Sequence, residues 1–334
     1  MIMPAMSIRR RIALFLAGLL LAGVLLSGCE RGAHSRDAGA SAEASSRPVV
    51  GFSQVNHANP WRIAETNDIR KEAARLGYEL ILIDGDSSAQ KQVKDVESLI
   101  ARRVDYIILA PKEFETLRPA IVAARDAGIP LILVDRMADA VPGVDFLTFI
   151  GSDFIDEGER IAKWLARKMN AKARIVELRG EKGSSPEIDR AIGFRNIIKK
   201  YPGMEIVASS YAYFERLEGQ KVMEEIILAI GPTFNAVYAH NDEMAIGAIQ
   251  ALKAAGIKPG EDVILASIDG GKDALKAIIA GELGASVECA PRFARRIFDV
   301  IDAHRRGEVI SARIINEDRL FDINNAGEFI HDAF

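Results

Sequence analysis

The 334 residues of the chain suffice for two domains, because single hydrophobic cores rarely grow past about 250–300 residues. Hydrophobic residues make up 49% and charged residues 27%, and a net charge of −4 with scattered Lys and Arg argues against a nucleic-acid partner. The two cysteines, Cys29 and Cys289, are too few for a disulfide framework or a cysteine zinc site, so we expect no metal and no other cofactor.

The N-terminal 28 residues predict an export signal. Three arginines at positions 9–11 precede an apolar run over 12–26, and small residues follow that run. This order of a positive, an apolar and a small-residue segment is typical of secretory signals. The run is shorter than the roughly 20 residues that a membrane-spanning helix needs. We therefore expect residues 1–28 to be a signal peptide.

Residues 26–29, Leu-Ser-Gly-Cys, resemble the lipobox of bacterial lipoproteins. In that group the peptidase cuts before the cysteine, and the thiol then carries diacylglycerol, so the resemblance implies lipidation of Cys29. Several acyl chains anchor a protein stably. The implied location is the periplasmic or outer face of a bacterial membrane, contacted through the lipid alone. A plain signal peptide that ends near a cysteine is the alternative.

Residues 29–47 predict a flexible tether between the anchor and the folded body. They are rich in Ala, Ser and Gly and lack large apolar side chains. Such a segment buries too little surface to offset its ordering entropy. We expect the folded body to begin near Pro48.

From Pro48 onward, short apolar runs alternate with amphipathic stretches, which predicts alternating strands and helices. The predicted strands are Val49–Ser53, Glu79–Asp84, Tyr106–Ala110, Leu131–Asp135, Phe146–Ile150, Arg174–Leu178, Glu205–Ser209, Ala236–Ala239, Val263–Ser267 and Ala285–Glu288. The clearest predicted helices are Trp61–Leu76, Gln90–Arg102, Asp242–Ala255 and Arg292–Arg306. Several strands are apolar at nearly every position, as strands covered on both faces are.

This alternation predicts an α/β protein of two Rossmann-like lobes with parallel sheets, joined by a multi-strand hinge. We predict the N-terminal lobe at 48–151 plus 290–316 and the C-terminal lobe at 152–289 plus 317–334. The first crossing is predicted at Gly151–Asp153, and a second near Glu288–Pro291 returns the last long helix to the first lobe.

Ligands of open α/β sheets bind beyond the carboxyl ends of the strands, so side chains just past the predicted strands are candidate contacts. These candidates are Asn59, Trp61, Arg62, Asp135, Arg136, Arg190, Phe214, Asn241, Asp269 and Glu288. Carboxylates accept hydrogen bonds from sugar hydroxyls, Arg and Asn donate to them, and an aromatic face can pack against a sugar ring. The set predicts a polyhydroxylated ligand.

Each candidate also has a simpler interpretation. An Asp at a strand end often caps a helix or forms a turn. Trp61, at the start of a helix, is more often part of a core. Arg136 and Arg190 could form surface ion pairs of little energetic value.

Four motifs together resemble the periplasmic pentose- and hexose-binding proteins of ABC importers, the ribose-binding type. They are Asn59-Pro60-Trp61-Arg62, Val134-Asp135-Arg136, the run from Ala239 to Ala248, and Ser267-Ile268-Asp269-Gly270. Within this family the chain is most similar to galactofuranose binders, in Gly51–Val55, Ala64–Asn67, Ile188–Arg190 and Ser286–Glu288. The similarity extends from about Val49 to the C-terminus.

The resemblance implies the type I periplasmic binding protein fold, hinge closure on a monosaccharide, and delivery to an ABC permease by a monomer. It assigns sugar contact to the ten candidates, with Glu288 at a hinge-proximal position that is Gln in ribose binders. The loop His57–Pro60 and the aromatic segment Tyr211–Tyr213 depart from the galactofuranose pattern. Both departures bear on which sugar fits.

Three other functions agree with parts of the sequence. A transcription regulator of the LacI family shares the fold but needs an N-terminal DNA-binding motif, where this chain has an export signal. A glycosidase with Asp135 and Glu288 as its carboxylate pair is disfavoured, because carboxylates beside Arg136 and Arg190 should have lowered pKa values. A binding protein that presents its sugar to a sensor kinase or chemoreceptor stays open.

Overall fold

The structure is a computed structural model that describes residues 48–334. The predicted signal peptide, the lipidation site Cys29 and the tether lie outside the described residues, and they stay predictions. Among residues 48–334, no helix has the length and apolar character needed to cross a membrane.

The first lobe is built on a six-stranded sheet in the order β11-β5-β4-β3-β1-β2, and every pairing in it is parallel. Its strands are β1 (Val49–Gln54), β2 (Glu79–Asp84), β3 (Tyr106–Leu109), β4 (Leu131–Val134), β5 (Thr148–Gly151) and β11 (Arg313–Ile315). Its helices are α1 (Pro60–Leu76), α2 (Ala89–Ala101), α3 (Arg118–Asp126) and α9 (Ala294–Arg305), the last of which packs on α1. Strands β3, β4 and β5 are buried at every position, because helices cover both faces.

The second lobe is built on a six-stranded sheet in the order β12-β10-β9-β8-β6-β7. Its strands are β6 (Lys172–Arg179), β7 (Gly203–Tyr211), β8 (Ala236–Ala239), β9 (Ile264–Asp269), β10 (Ala285–Glu288) and β12 (Leu320–Asp322). Its helices are α4 (Phe154–Lys168), α5 (Ser185–Ile198), α6 (Arg216–Ile230), α7 (Asp242–Ala254), α8 (Lys272–Ile279) and α10 (Ala326–Phe329). Strand β12 is antiparallel to β10, and the other pairings are parallel.

All ten predicted strands are confirmed with small shifts of their ends, and so is the two-lobe α/β fold. The expectation of wholly parallel sheets is corrected at one edge, where β12 runs antiparallel. The chain passes between the sheets after β5, after β10 and between β11 and β12. The residues at which the lobes were predicted to divide stay a prediction.

Candidate functional site

A cavity lies between the two lobes, at the carboxyl ends of their strands. It encloses about 340 Å³ of space, part of it open to solvent. Its lining residues come from both lobes and are Asn59, Trp61, Arg62, Asp135, Arg136, Pro186, Arg190, Phe214, Asn241, Asp269 and Cys289. Nine of the ten predicted contact residues are therefore brought to one cavity.

In the first lobe, Arg62 is held between two carboxylates. Its Nη1 donates to Oε2 of Glu65 at 2.9 Å, and its Nη2 donates to Oδ2 of Asp135 at 2.5 Å. All three side chains are buried, which strengthens the attraction between their charges. Asp135 follows β4 directly, whereas Arg62 and Glu65 lie one turn apart on α1.

Glu65 is fully buried, and burial raises the pKa of its carboxyl to about 7 despite the nearby Arg62 charge. Gln54, the last residue of β1, donates from its Nε2 to Oε2 of Glu65 at 2.8 Å. The same amide nitrogen donates to the Thr66 hydroxyl at 3.0 Å. This network joins β1 to α1 beneath the cavity.

In the second lobe, Arg190 occupies the corresponding position on α5. Its Nε donates to Oε2 of Glu157 at 2.8 Å, and its Nη1 donates to the carbonyl of His240 at 2.6 Å. Its Nη2 lies 3.6 Å from Oδ1 of Asp269. Burial raises the pKa of the Glu157 carboxyl to about 7, against the opposing charge of Arg190.

The expected lowering of carboxylate pKa values beside the cavity arginines is wrong for Asp269. Burial raises its pKa well above the usual range, and the attraction of Arg190 does not offset that cost. Asp242, whose carboxylate accepts hydrogen bonds from Ser267, Ser286 and the amide of Gly271, adds a second buried negative charge nearby.

Arg136 is the third guanidinium at the cavity. Its Nη1 donates to the carbonyl of Lys112 at 3.0 Å, and its Nε lies 3.6 Å from Oδ2 of Asp135. Burial, with a smaller effect of the Arg62 charge, lowers the pKa of Arg136 to about 10. Arg136 and Arg190 are 6% and 3% exposed, so the interpretation of both as surface ion pairs is wrong.

Two aromatic side chains complete the wall. The Trp61 Nε1 donates to the carbonyl of Cys289 at 2.8 Å, so this buried indole is both part of the core and part of the cavity lining. The Phe214 ring lies 5.4 Å from the Arg136 guanidinium and 5.9 Å from that of Arg190. Its flat face is therefore shared with cations from both lobes.

Three lining residues adopt backbone conformations that side chains rarely occupy. Asp135, Phe214 and Asp269 have φ values of 60°, 64° and 139°. Such positions cost about 1–3 kcal/mol each and persist where the surrounding structure holds them, frequently at functional sites. All three residues line the cavity.

A family model described as a periplasmic binding protein domain matches residues 50–308 of the chain. The chain belongs to this family. Galactofuranose-binding protein YtfQ of Escherichia coli K12 is 42% identical over 273 residues, which cover 80% of this chain and 86% of that protein. The resemblance inferred from the sequence motifs is thereby confirmed.

Two solved structures of the family are similar throughout the folded body. The binding component of the arabinose ABC transporter from Shewanella sp. ANA-3, bound to α- and β-L-arabinofuranose, has a TM-score of 0.82 and 38% identity over 85% of this chain and 95% of that chain. The fructose-binding periplasmic domain of a hybrid two-component system has a TM-score of 0.80 and 26% identity over 86% of this chain and 94% of that chain.

Glu288 is the one predicted contact that the structure does not bring to the cavity. Both of its carboxylate oxygens accept hydrogen bonds from the Arg319 guanidinium, at 2.7 and 2.8 Å, and the Arg319 amide donates to it as well. The next residue, Cys289, lines the cavity in its place. The assignment of Glu288 as a hinge-proximal ligand contact stays a prediction.

Sequence reasoning missed Pro186, Cys289 and the two buried glutamates. Glu65 lies three residues after Arg62 on one helix, so its spacing was a usable signal, since such residues share a helix face. Glu157 lies on α4 and reaches Arg190 only through the packing of α4 on α5. Within residues 48–334, no group of three or more His, Cys, Asp or Glu side chains is arranged to hold a metal ion.

Proposed function

We propose that the chain is the substrate-binding lipoprotein of a sugar ABC transporter. It binds a monosaccharide between its lobes, closes on it by hinge motion and delivers it to the permease. The observation that carries this proposal is the convergence, on one interlobe cavity, of charged and aromatic side chains from both lobes. Because each lobe supplies part of the wall, a ligand gains its full set of contacts in the closed state, and closure follows from that difference.

The chemistry of the wall suits a ring that carries several hydroxyl groups. Each hydroxyl both donates and accepts, and the wall supplies carboxylate acceptors and guanidinium donors whose charge strengthens their hydrogen bonds. The faces of Trp61 and Phe214 offer apolar surface for the C–H bonds of the ring. Nine ligand contacts are proposed on this basis and on the family resemblance: Asn59, Trp61, Arg62, Asp135, Arg136, Arg190, Phe214, Asn241 and Asp269. Glu288 is proposed as a tenth contact on the resemblance alone.

The proposed ligand is a hexose, in furanose form. Support comes from the similar proteins: the Escherichia coli relative is named for galactofuranose, a hexose, and the Shewanella structure holds arabinofuranose, a pentose that shares the furanose ring form. This chain departs from the galactofuranose-binder pattern at two places, the loop His57–Pro60 and the tyrosines at 211 and 213. A preference for another sugar would arise from these segments.

A binding role is favoured over a glycosidase. The proposed carboxylate pair of such an enzyme would be Asp135 and Glu288, which must flank a glycosidic bond. Arg319 holds the Glu288 carboxylate, and Arg62 holds that of Asp135. A carboxylate held in an ion pair is a poor general acid.

A sensory role is the second candidate. The similarity to the fructose-binding domain of a hybrid two-component system favours it, because the same fold serves a sensor there. A gene beside those of a permease and an ATPase supports import, whereas a gene beside a sensor kinase or chemoreceptor supports signalling. Both roles share the same cavity.

The lipid anchor is proposed from residues 26–29, and a labelling experiment tests it. Full-length chain expressed in bacteria with radioactive palmitate should carry the label in the membrane fraction, and a Cys29→Ser chain should not. Label retained by Cys29→Ser, or absent from the wild type, contradicts the anchor without bearing on sugar binding.

A thermal-shift screen tests the sugar-binding function. The panel is D-galactose, a methyl galactofuranoside, L-arabinose, D-ribose, D-fructose and myo-inositol. A sugar at a hundred times its Kd stabilises the folded chain by about 2.7 kcal/mol, which raises the melting temperature by roughly 5 °C for a protein of this size. An Arg125→Ala chain, altered at a half-exposed ion pair with Asp145 outside the cavity, should show the same shift. No shift with any panel sugar contradicts the proposal.

A further inference from the structure

The two lobes carry the same order of charged side chains: a buried glutamate, then an arginine, then an aspartate at the cavity. In the first lobe these are Glu65, Arg62 and Asp135, and in the second they are Glu157, Arg190 and Asp269. The arginine and aspartate of each set line the cavity, whereas neither glutamate is among the described residues that line it. The glutamates are 0% and 1% exposed.

In each set the glutamate and the aspartate contact different nitrogens of the guanidinium. Glu65 accepts from Nη1 of Arg62 at 2.9 Å, and Glu157 accepts from Nε of Arg190 at 2.8 Å. An arginine side chain has many rotamers, so holding its planar head in one orientation before a ligand arrives removes an entropic cost from binding. A carboxylate partner does this with a strong, directional hydrogen bond.

We propose that Glu65 and Glu157 are positioning residues for the ligand: they touch no sugar, they hold Arg62 and Arg190 against the cavity wall, and sugar affinity depends on their negative charge. This inference rests on the proposed sugar-binding function. Both carboxylates are buried and neither follows a strand, so the rule that locates ligand contacts at strand ends does not identify them.

The charge of both glutamates changes near neutral pH, because burial raises both pKa values to about 7. The charged groups that face Glu65 are Arg62 and Asp135, with Gln54 as a neutral donor. Those that face Glu157 are Arg190, Asp318 and Cys289. Affinity should therefore rise as the pH rises through 7, when the glutamates become charged and hold their arginines.

Stability should change in the opposite direction. Both folded-state pKa values lie above the usual 4.5, so the folded chain binds more protons than the unfolded chain between about pH 4.5 and 7. The stability that these two groups contribute is complete below pH 4.5 and is lost as the pH rises through 7. If the two glutamates only stabilised the fold, sugar affinity would not increase over the pH range in which their contribution to stability decreases.

The test compares wild-type chain with Glu157→Gln by calorimetric titration of the sugar that gives the largest thermal shift, from pH 5.5 to 8.5. Gln keeps an acceptor for Arg190 and removes the charge. Each glutamate, as a group of pKa about 7 that loses its proton, should raise affinity about five-fold from pH 6 to pH 8, so wild-type affinity should rise about 25-fold and that of Glu157→Gln about five-fold. Glu157→Gln should bind about ten-fold more weakly than wild type at pH 8, with a flatter pH profile.

Melting temperatures of the same samples without sugar supply the second readout. The wild type should lose stability relative to Glu157→Gln as the pH rises from 5.5 to 8. Asp145→Asn is the control, because Asp145 is a buried carboxylate paired with Arg125 and it does not line the cavity. That variant should lose stability and keep its sugar affinity within about two-fold.

Three outcomes overturn the inference. Equal affinity of Glu157→Gln and wild type at pH 8, or a pH profile unchanged by the substitution, removes the positioning role while leaving the sugar-binding function intact. An equal loss of affinity in Asp145→Asn assigns the effect to general destabilisation. Absence of sugar binding by the wild type overturns the proposed function and this inference together. Should Glu157→Gln not fold, Glu65→Gln repeats the test in the first lobe with the same expected result.

Discussion

At the scale of single residues, the cavity depends on small features behind its charged wall. Gly180, just after β6, lies against the Phe214 ring, and a Cβ placed at Gly180 would lie 2.0 Å from Cζ of Phe214. The ring in turn packs beneath the guanidinium groups of Arg136 and Arg190. The absence of a side chain at Gly180 thus sets where the ring and two arginines lie.

Gly180→Ala should therefore displace the Phe214 ring and weaken sugar binding roughly ten-fold, with a stability loss of about 1–3 kcal/mol from overpacking. Calorimetric titration and denaturant unfolding measure the two effects. Gly327→Ala is the control, because a Cβ at Gly327 meets no atom within 4 Å. Unchanged affinity in Gly180→Ala would show that the ring position has no bearing on the ligand.

The sequence was sufficient to find the residues that follow strands, because parallel strands bring their carboxyl ends to one edge. Asp135 and Asp269 were found in this way. It was not sufficient for Glu157 or Cys289, whose places depend on how α4 packs on α5 and on where β10 ends. Side-chain direction was a further limit, since Glu288 lies at a strand end and yet pairs with Arg319 outside the cavity.

At the scale of helices and strands, two helices begin at the cavity, and each is capped by a lining asparagine. Asn59 accepts from the amide of Arg62 at 3.0 Å at the start of α1, and Asn241 accepts from the amide of Met244 at 3.0 Å at the start of α7. The Asn241 Nδ2 also donates to the Phe214 carbonyl at 3.1 Å. The caps therefore join helix stability to the shape of the site.

Asn241→Ala should cost about 1 kcal/mol of stability through the lost cap, and it should also weaken sugar binding. Ser88→Ala separates the two effects, because Ser88 caps α2 through the amide of Lys91 at 3.2 Å and does not line the cavity. It should lose similar stability and keep its affinity. An equal loss of affinity in both variants would contradict a direct role for Asn241.

The alternation of elements was predictable because buried parallel strands are apolar at nearly every position. The two strands that were missed, β11 and β12, have three residues each and include exposed or half-buried positions. Their sequences lack the apolar run that marks the other strands. They become strands only because the edge of each sheet offers free backbone partners, which is a long-range property.

At the scale of the whole molecule, direct contacts outside the cavity lining join the two lobes. Lys112, after β3, lies 2.8 Å from the Glu181 carboxylate, after β6. The Phe114 amide donates to the Gly183 carbonyl at 2.9 Å, and the Met137 amide donates to the Ser185 hydroxyl at 2.9 Å. The lobes are thus in direct contact, and under the proposed hinge closure part of the closing energy would come from these groups.

Reversing one charge of the Lys112–Glu181 pair should shift the molecule toward the open form. Lys112→Glu or Glu181→Lys alone should weaken sugar binding roughly five-fold, mainly through faster dissociation, since a partly exposed pair contributes up to about 1 kcal/mol. The double exchange should restore affinity. Stopped-flow kinetics measure the rates. If the double exchange does not restore affinity, the Lys112–Glu181 pair does not stabilise the closed form directly.

The most direct test of the account is a calorimetric titration of wild-type and Asp135→Ala chains with the sugar that gives the largest thermal shift. Wild type should bind one sugar per chain. Asp135→Ala should remain folded and bind at least about a hundred-fold more weakly, because it loses a buried charged acceptor at the cavity wall and leaves Arg62 and Arg136 without it. Arg125→Ala should bind as the wild type does. Equal affinity of Asp135→Ala and wild type would contradict the proposed site.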